Sequence, residues 1–486
     1  MKKFYISTAI PYANAAPHIG NAIDYILADA ISRYHQQQKF SVFFSTGTDE
    51  HGQKIAGKAA EAGTSPQEYT DAILKDFKAF AEALNIEYSY WIRTTEPKHI
   101  KGAQAIWKAL SKHIYKKSYT GWYCVGCEAF VTEAEYTANG GVCPDHNKPY
   151  EQVSEENYFF KLSEFTTQVR EAITSGQFEI VPETRKNEIV SLLNDGLEDI
   201  SISREAKRMS WGIPVPGDKD QVMYVWFEAL MNYITTLGYP NGEHFTTFWP
   251  ADVQVIGKDI IRFHAAIWPA MLIALDIELP KRLLVHGHVL AAGEKMSKSV
   301  GNVVSPLEIV SGYGTDAFRY YFLRHIPTQG DGDFTWERFE TAYNNELGNE
   351  LGNLVQRVAA MVNRYQDGVI GAMPEQGHDT APYHEAMAEL HLDRALDYVW
   401  NLVRGLNQYL EMEKPWVIAR EQDPEHLQEV LAYAASSIVQ IADLLVPFMP
   451  ASGKIIREIF EEGVVKPYNG VLFPKIHNHT EAPAQK

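Results

Sequence analysis

Apolar residues cluster in Phe4-Tyr5-Ile6-Ser7 and again in Ser41-Val42-Phe43-Phe44-Ser45, which predicts two strands. Between them a loop rich in Ala, Pro and Asn runs from Pro11 to Asn21. A 3.6-residue period then places Ile23, Ile26, Leu27, Ala30 and Ile31 on one face and predicts a helix from about Ala22 to Gln37. The second strand ends at Thr46-Gly47-Thr48-Asp49. Strand, loop, helix, strand is a βαβ unit and implies a parallel sheet, with ligands at the ends of its strands. From about Lys117 the texture breaks into short runs with paired glycines, Gly140-Gly141, and this stretch ends near Trp211–Pro216. It reads as a small insert. Strand patterns return at 248–256 and 282–286, separated by a helical stretch around 260–275. Beyond about Trp336 the pattern is helical, with apolar 3-4 spacing in 346–365, 384–412 and 427–446, as in a helix bundle. Residues 477–486 are polar, and fraying is expected there.

Composition narrows the class. At 486 residues the chain holds several domains, and 45% hydrophobic with 22% charged residues is ordinary for a globular protein. Three cysteines cannot build a disulfide framework. No uncharged apolar run reaches the ~18 residues of a membrane helix. Ser7, Thr8 and Pro11 interrupt the apolar start, which argues against a signal peptide and for a cytoplasmic protein. The formal net charge is −18. Residues 1–150 are close to neutral and the remainder carries the excess, so an RNA partner has to meet a local basic path rather than a global field.

Three patterns carry chemistry. Cys124-x-x-Cys127 is followed by Cys143-x-x-His146 and uses every cysteine in the chain. Two close pairs of soft ligands suit tetrahedral Zn2+, and four protein ligands leave no open position, so the metal is expected to be structural. His18-Ile19-Gly20-Asn21 stands at a predicted helix N-terminus, where backbone N–H groups and the helix dipole favour an anion. Gly20 allows close approach, and His18 and Asn21, three apart, can point at one ligand. Lys295-Met296-Ser297-Lys298-Ser299 places two lysines three apart among small residues, able to clamp polyphosphate oxygens.

In that order and at that separation, the last two patterns resemble the HIGH and KMSKS signatures of class I aminoacyl-tRNA synthetases. The resemblance extends to the methionyl-tRNA synthetases through Ala9–Asn14, Thr46–Gly52, Tyr224–Leu230, Ile256–Ile260 and Glu413–Trp416. It implies an enzyme that activates methionine with ATP, accompanied by Mg2+, and esterifies tRNA. By resemblance, Asp49 binds the methionine ammonium, and Ala9, Ile10, Tyr12, Trp226, Tyr233, Ile260 and His264 form the thioether pocket. His18, Gly20, Asn21, Gly257, Asp259 and Lys298 meet ATP, with Lys295 joining the catalytic set of His18, Asn21 and Lys298. Asn353, Arg357 and Trp416 read the anticodon.

The family usually has His where Asn21 stands and Asp where Glu228 stands. The implied organisation is a Rossmann-like catalytic domain in two halves, 1–116 and 216–275, with the zinc-binding connective insert at 117–215. A KMSKS-containing linker region, 276–335, leads to an all-α anticodon-binding bundle, 336–470, and a tail, 471–486. No dimerising tRNA-binding extension is seen, so a monomer is expected. Synthetases for leucine, isoleucine or valine carry an editing insert larger than 117–215, and a cysteine-specific relative would need zinc ligands in the catalytic domain. A non-catalytic RNA-binding paralogue is the remaining alternative; its one support is Asn21.

Overall fold

The computed structural model describes residues 2–127, 129–144, 147–291, 293–295, 304–370, 377–461 and 463–476. The chain divides into two compact units. The first holds Met1–Pro17, Phe40–Phe80 and Glu87–Val285; the second holds His18–Lys39, Ala81–Ile86 and His286–Lys486.

The first unit is built on a six-stranded sheet of β1 (Lys3–Thr8), β2 (Ser41–Thr48), β3 (Tyr90–Arg93), β4 (Glu179–Val181), β5 (Val253–Gly257) and β6 (Arg282–His286). Its order is β3-β2-β1-β5-β6-β4. The β3–β2, β2–β1, β1–β5 and β6–β4 pairs are parallel. β1, β2 and β5 are buried along most of their length, as strands of a sheet covered on both faces must be. The chain leaves β1 toward β2 on one side and returns through β5 on the other. The crevice outside the ends of β1 and β5 is therefore the topological switch point where open α/β sheets bind ligands.

Two expectations shift. The strand pattern at 248–256 yields a strand only at Val253–Gly257, because Glu243–Phe248 is helical and Pro250 cannot donate to a ladder. The 117–215 stretch is not wholly an insert, because it contributes β4 to the main sheet through pairing with β6. The insert proper is an antiparallel sheet in which Ile114–Cys124 pairs with Glu151–Phe160, flanked by Ala129–Val131 and Ile200–Ser201. Asp218–Met223 pairs with Ser203–Glu205 and Pro214–Val215 as the chain returns from it.

The second unit contains α1 (Ile19–Gln37), which the 1–116 division had assigned to the sheet domain. The reason is a buried charge cluster. Asp29 accepts from Arg33 Nε at 2.7 Å and faces Arg319 Nη2 at 2.6 Å, with Asp29 and Arg319 fully buried. Arg319 also donates to the carbonyls of Phe448, Pro447 and Leu84. Breaking such a buried pair from one side costs about 3–5 kcal/mol. The helical region follows its apolar periodicity, except that the 384–412 run is two helices. Leu390, at a left-handed φ of 58°, separates Ala381–Ala388 from Leu392–Glu413. Of the expected tail, 471–476 packs back onto the unit: Phe473 and Ile476 are buried, and Asn344 exchanges two hydrogen bonds with the Ile476 backbone. The stretch expected to fray, 477–486, lies outside the described residues.

Candidate active site and metal centre

In the first unit, the expected amino-acid pocket gathers at the ends of β1, β2 and β5. Ala9 continues from β1, its N–H bonded to the Val255 carbonyl at 2.9 Å, and Ile10 follows, half-buried. The next residues clip onto the end of β2: Asp49 N–H donates to the Pro11 carbonyl, and Ala13 N–H donates to the Asp49 carbonyl. Tyr12 and Asp49 are thereby held side by side, Asp49 only 2% exposed. The Tyr12 ring faces Trp226 at 6.2 Å, and Trp226 stacks on Phe263 at 5.1 Å. Gly257 ends β5, and Asp259 and Ile260 lie in the 3-10 turn that follows, Asp259 exposed.

His264 is the most constrained group of the pocket. Its Nδ1 donates to the Ile260 carbonyl at 3.0 Å, so its Nε2 accepts the Tyr233 hydroxyl proton at 2.6 Å. Burial pushes the imidazole down to about 4. The ring is neutral at physiological pH, and its polar atoms face Tyr233 and the backbone. An aromatic and neutral lining of this kind suits an uncharged, polarisable side chain.

Two contributors were not singled out from the sequence. Phe263 extends the Trp226 wall. Glu50, fully buried beside Asp49, accepts from Thr48, Arg93 and Thr95 and pins the end of β2. The adjacent acids Asp49-Glu50 at the end of a buried strand were the available clue to Glu50; Phe263 had none.

In the second unit, His18 caps α1. Its Nδ1 accepts from Gly20 N–H at 3.1 Å, while Asn21 Oδ1 accepts from His18 N–H at 3.1 Å, a reciprocal capping box. The cap has chemical consequences. With Nδ1 an acceptor, the neutral His18 ring carries its proton on Nε2. With Oδ1 committed to the cap, the Asn21 amide keeps its Nδ2 donors for another partner. The imidazole folds over Gly20, where a Cβ would lie 3.0 Å from His18 Cε1 and press the ring away from its cap. Asp24, one turn further on, pairs with His286 Nε2 at 2.9 Å and ties α1 to the chain just ahead of the lysine loop. That loop starts as a hairpin of Val289–Ala291 and Glu294–Lys295. Lys295 ends its second strand; Lys298 lies outside the described residues.

The three cysteines converge. Cys124, Cys127 and Cys143 place their sulfurs within 4.8 Å of one another, and Cys127 N–H donates to Cys124 Sγ at 3.3 Å. Burial, with the two neighbouring sulfurs adding to it, pushes the Cys127 thiol well up. Bare thiolates this close repel, and a divalent cation removes that cost, so the donor set fits Zn2+. The fourth expected ligand, His146, lies outside the described residues. The Trp122–Tyr136 stack at 3.8 Å and buried Tyr150 pack around the sulfurs.

In the helical region, Asn353 is exposed and Arg357 half-buried, one turn apart on the helix Asn353–Gln366. Arg357 is engaged with Glu411 at 2.6 Å and Asn407 at 3.1 Å. Trp416, half-buried, follows the left-handed Lys414 that ends Leu392–Glu413.

A family profile described as tRNA synthetases class I (M) matches residues 4–359. A methionine–tRNA ligase of Clostridium acetobutylicum is 42% identical over 479 residues, covering 94% of this chain and 73% of that protein. One of Brucella suis is 40% identical over 502 residues, covering 99% and 96%. Among solved structures, Mycobacterium tuberculosis methionyl-tRNA synthetase in complex with methionyl-adenylate is similar with a TM-score of 0.91 at 37% identity, covering 98% of this chain and 100% of that one.

Proposed function

The chain belongs to the class I tRNA synthetases and, within them, to the methionine–tRNA ligases, and from that premise we propose which residues carry each step. It activates methionine with ATP to methionyl-adenylate and transfers the amino acid to tRNA. In our reading the Asp49 carboxylate takes the methionine ammonium, and Tyr12, Trp226 and Tyr233 enclose the thioether chain, with Ala9, Ile10 and Ile260 at its edges. The neutral His264, locked between Tyr233 and the Ile260 carbonyl, supports the methionine assignment most directly: it presents no charge that the thioether would have to desolvate.

The methionine carboxylate attacks the α-phosphorus in line, and pyrophosphate leaves. His18 Nε2–H, Asn21 Nδ2 and the Lys295 and Lys298 ammoniums hold the phosphates, while Gly257 and Asp259 hold the nucleoside. Catalysis of this type is positioning and charge stabilisation. Mg2+ accompanies ATP as the counter-ion of its phosphates. A ribose hydroxyl of the terminal adenosine of tRNA then attacks the activated carbonyl, and AMP leaves. Zn2+ on Cys124, Cys127, Cys143 and His146 would cross-link the insert and take no part in either step. Asn353, Arg357 and Trp416 read the anticodon, Trp416 by stacking on an unpaired base. No helix among the described residues is long and apolar enough to cross a membrane. A monomer working in the cytoplasm is part of the same proposal. The test is ATP–pyrophosphate exchange run with methionine, leucine, isoleucine, valine and cysteine. Methionine alone should support it, and equal exchange with leucine would overturn the pocket assignment.

A further inference from the structure

We propose that Glu228 is a positioning residue for methionine recognition, a buried bracket that fixes the spacing of Asp49, Trp226 and Tyr233; the proposal rests on the assignment of those three to the methionine pocket. Glu228 lies in the short helix Val225–Ala229 and is fully buried. Its two oxygens serve two different segments. Oε1 accepts from His51 Nδ1 at 2.7 Å, and Oε2 accepts from His99 Nε2 at 2.7 Å. His99 in turn meets the Thr235 hydroxyl through Nδ1 at 2.8 Å. Burial alone would push the Glu228 carboxyl up, but the two imidazoles outweigh it and the group lies below the usual range, so it is ionised.

Each arm ends two residues from a pocket side chain. His51 is two residues after Asp49, Glu228 two after Trp226, and Thr235 two after Tyr233. Two positions along a helix project to opposite sides, so Trp226 and Glu228 leave their helix in opposite directions. The bracket therefore grips the pocket elements from behind without touching substrate. His51 is itself wedged against Trp211, whose Nε1 donates to the Glu50 carbonyl and whose carbonyl takes Gly52 N–H. No slack is left on that arm.

The reach of glutamate matters. Aspartate, usual at this position in the family the chain resembles, is one carbon shorter, about 1.5 Å of reach. Two 2.7 Å bonds to residues on separate segments cannot both survive that retraction unless the helix moves and takes Trp226 with it. Glu228→Asp thus keeps the charge and shortens the bracket, while Glu228→Gln keeps the length and replaces one acceptor by an N–H facing an imidazole donor.

The experiment is methionine-dependent pyrophosphate exchange with KM measured separately for methionine and ATP, alongside thermal unfolding. Both Glu228 variants should raise the methionine KM at least tenfold and leave the ATP KM within twofold. Thr235→Val removes only the hydroxyl at the outer end and keeps the side-chain volume; it should raise the methionine KM about threefold to tenfold, and it serves if the Glu228 variants do not fold. A purely structural role would lower the unfolding midpoint and leave the methionine KM unchanged, and that result in either folded Glu228 variant, or in folded Thr235→Val where neither Glu228 variant folds, would overturn the proposal. Asp49→Asn in the same series tests the pocket assignment separately: it should raise the methionine KM at least tenfold, and an unchanged KM there would fail that assignment rather than the bracket.

Discussion

Replacing Asn21 separates the helix cap that its side chain makes from the phosphate donor proposed for it. The oxygen caps α1 by accepting His18 N–H, which leaves the nitrogen as the proposed donor. An N-terminal cap of this kind contributes about 0.5–2 kcal/mol. A preorganised donor to a developing charge is worth about 10²–10³ in rate, or roughly 3–4 kcal/mol. Asn21→Ala removes both, so single-turnover adenylate formation should slow by about 10²–10³, with a stability loss of about 1 kcal/mol. Asn21→Asp keeps the capping oxygen and adds charge that the helix N-terminus favours, but it has no donor and repels phosphate. It should match wild-type stability and be at least as slow as Asn21→Ala. Asn21→His restores an N–H donor and should retain much of the activity, at the cost of a group that titrates between about pH 6 and 8. Rapid-quench measurement of adenylate formation, paired with denaturant unfolding, reads both effects. Wild-type rates in Asn21→Ala would make Asn21 a spectator; wild-type rates in Asn21→Asp would reduce it to a helix cap.

Replacing Cys127 by Ser should release zinc, measured by metal analysis of the purified protein, and loosen the insert to limited proteolysis; a variant that keeps its metal would remove Cys127 from the ligand set. Trp416→Ala should impair tRNA charging by at least tenfold while pyrophosphate exchange stays near wild type, since one base–aromatic stack is worth about 1–3 kcal/mol. Loss of both activities in a folded protein would contradict the separation of the two tasks. His264 gives a pH prediction. Its folded value, about 4, lies below the ordinary 6.5, so its contribution to stability is complete above about 6.5 and is lost as the pH falls through about 4. Between pH 7.5 and 4.5 that amounts to roughly 2–3 kcal/mol. His264→Gln, compared with wild type by denaturant unfolding at both values, should lose less stability by about that amount, and equal losses would refute a buried neutral imidazole.

What the sequence disclosed was local. His18 and Asn21 are three residues apart, so their joint action at a helix start was legible from spacing, and so was the convergence of Cys124, Cys127 and Cys143. The capping box itself was within reach of the same pattern, because a side-chain acceptor at the cap with a polar amide three residues on is its signature. What stayed hidden depended on pairs far apart in the chain. Nothing near Glu228 announces that His51 and His99 meet on its two oxygens. Nothing near residue 179 shows that a three-residue strand inside the insert closes the edge of the main sheet, because so short a run carries no period. The resemblance implied an anticodon reader in Arg357, yet its guanidinium is held by Glu411 and Asn407, which lie fifty or more residues away in sequence. Trp226 was visible as an aromatic in a motif, but its stacking partner Phe263 was not.

The cluster around Asp29 also sets a timetable for synthesis. The helix that carries Asn21 is translated well before its partner: its buried carboxylate is matched by Arg319, and Arg319 in turn is anchored on the carbonyls of Pro447 and Phe448. At about 5–20 residues per second, roughly 290 residues of further translation separate Asp29 from Arg319, on the order of 15–60 s. For that interval Asp29 is without Arg319. A fragment that stops before residue 319 would leave Asp29 without its Arg319 partner. The helix is thus made roughly 290 residues before the guanidinium that matches its buried carboxylate, and the pairing of Asp29 waits on Arg319.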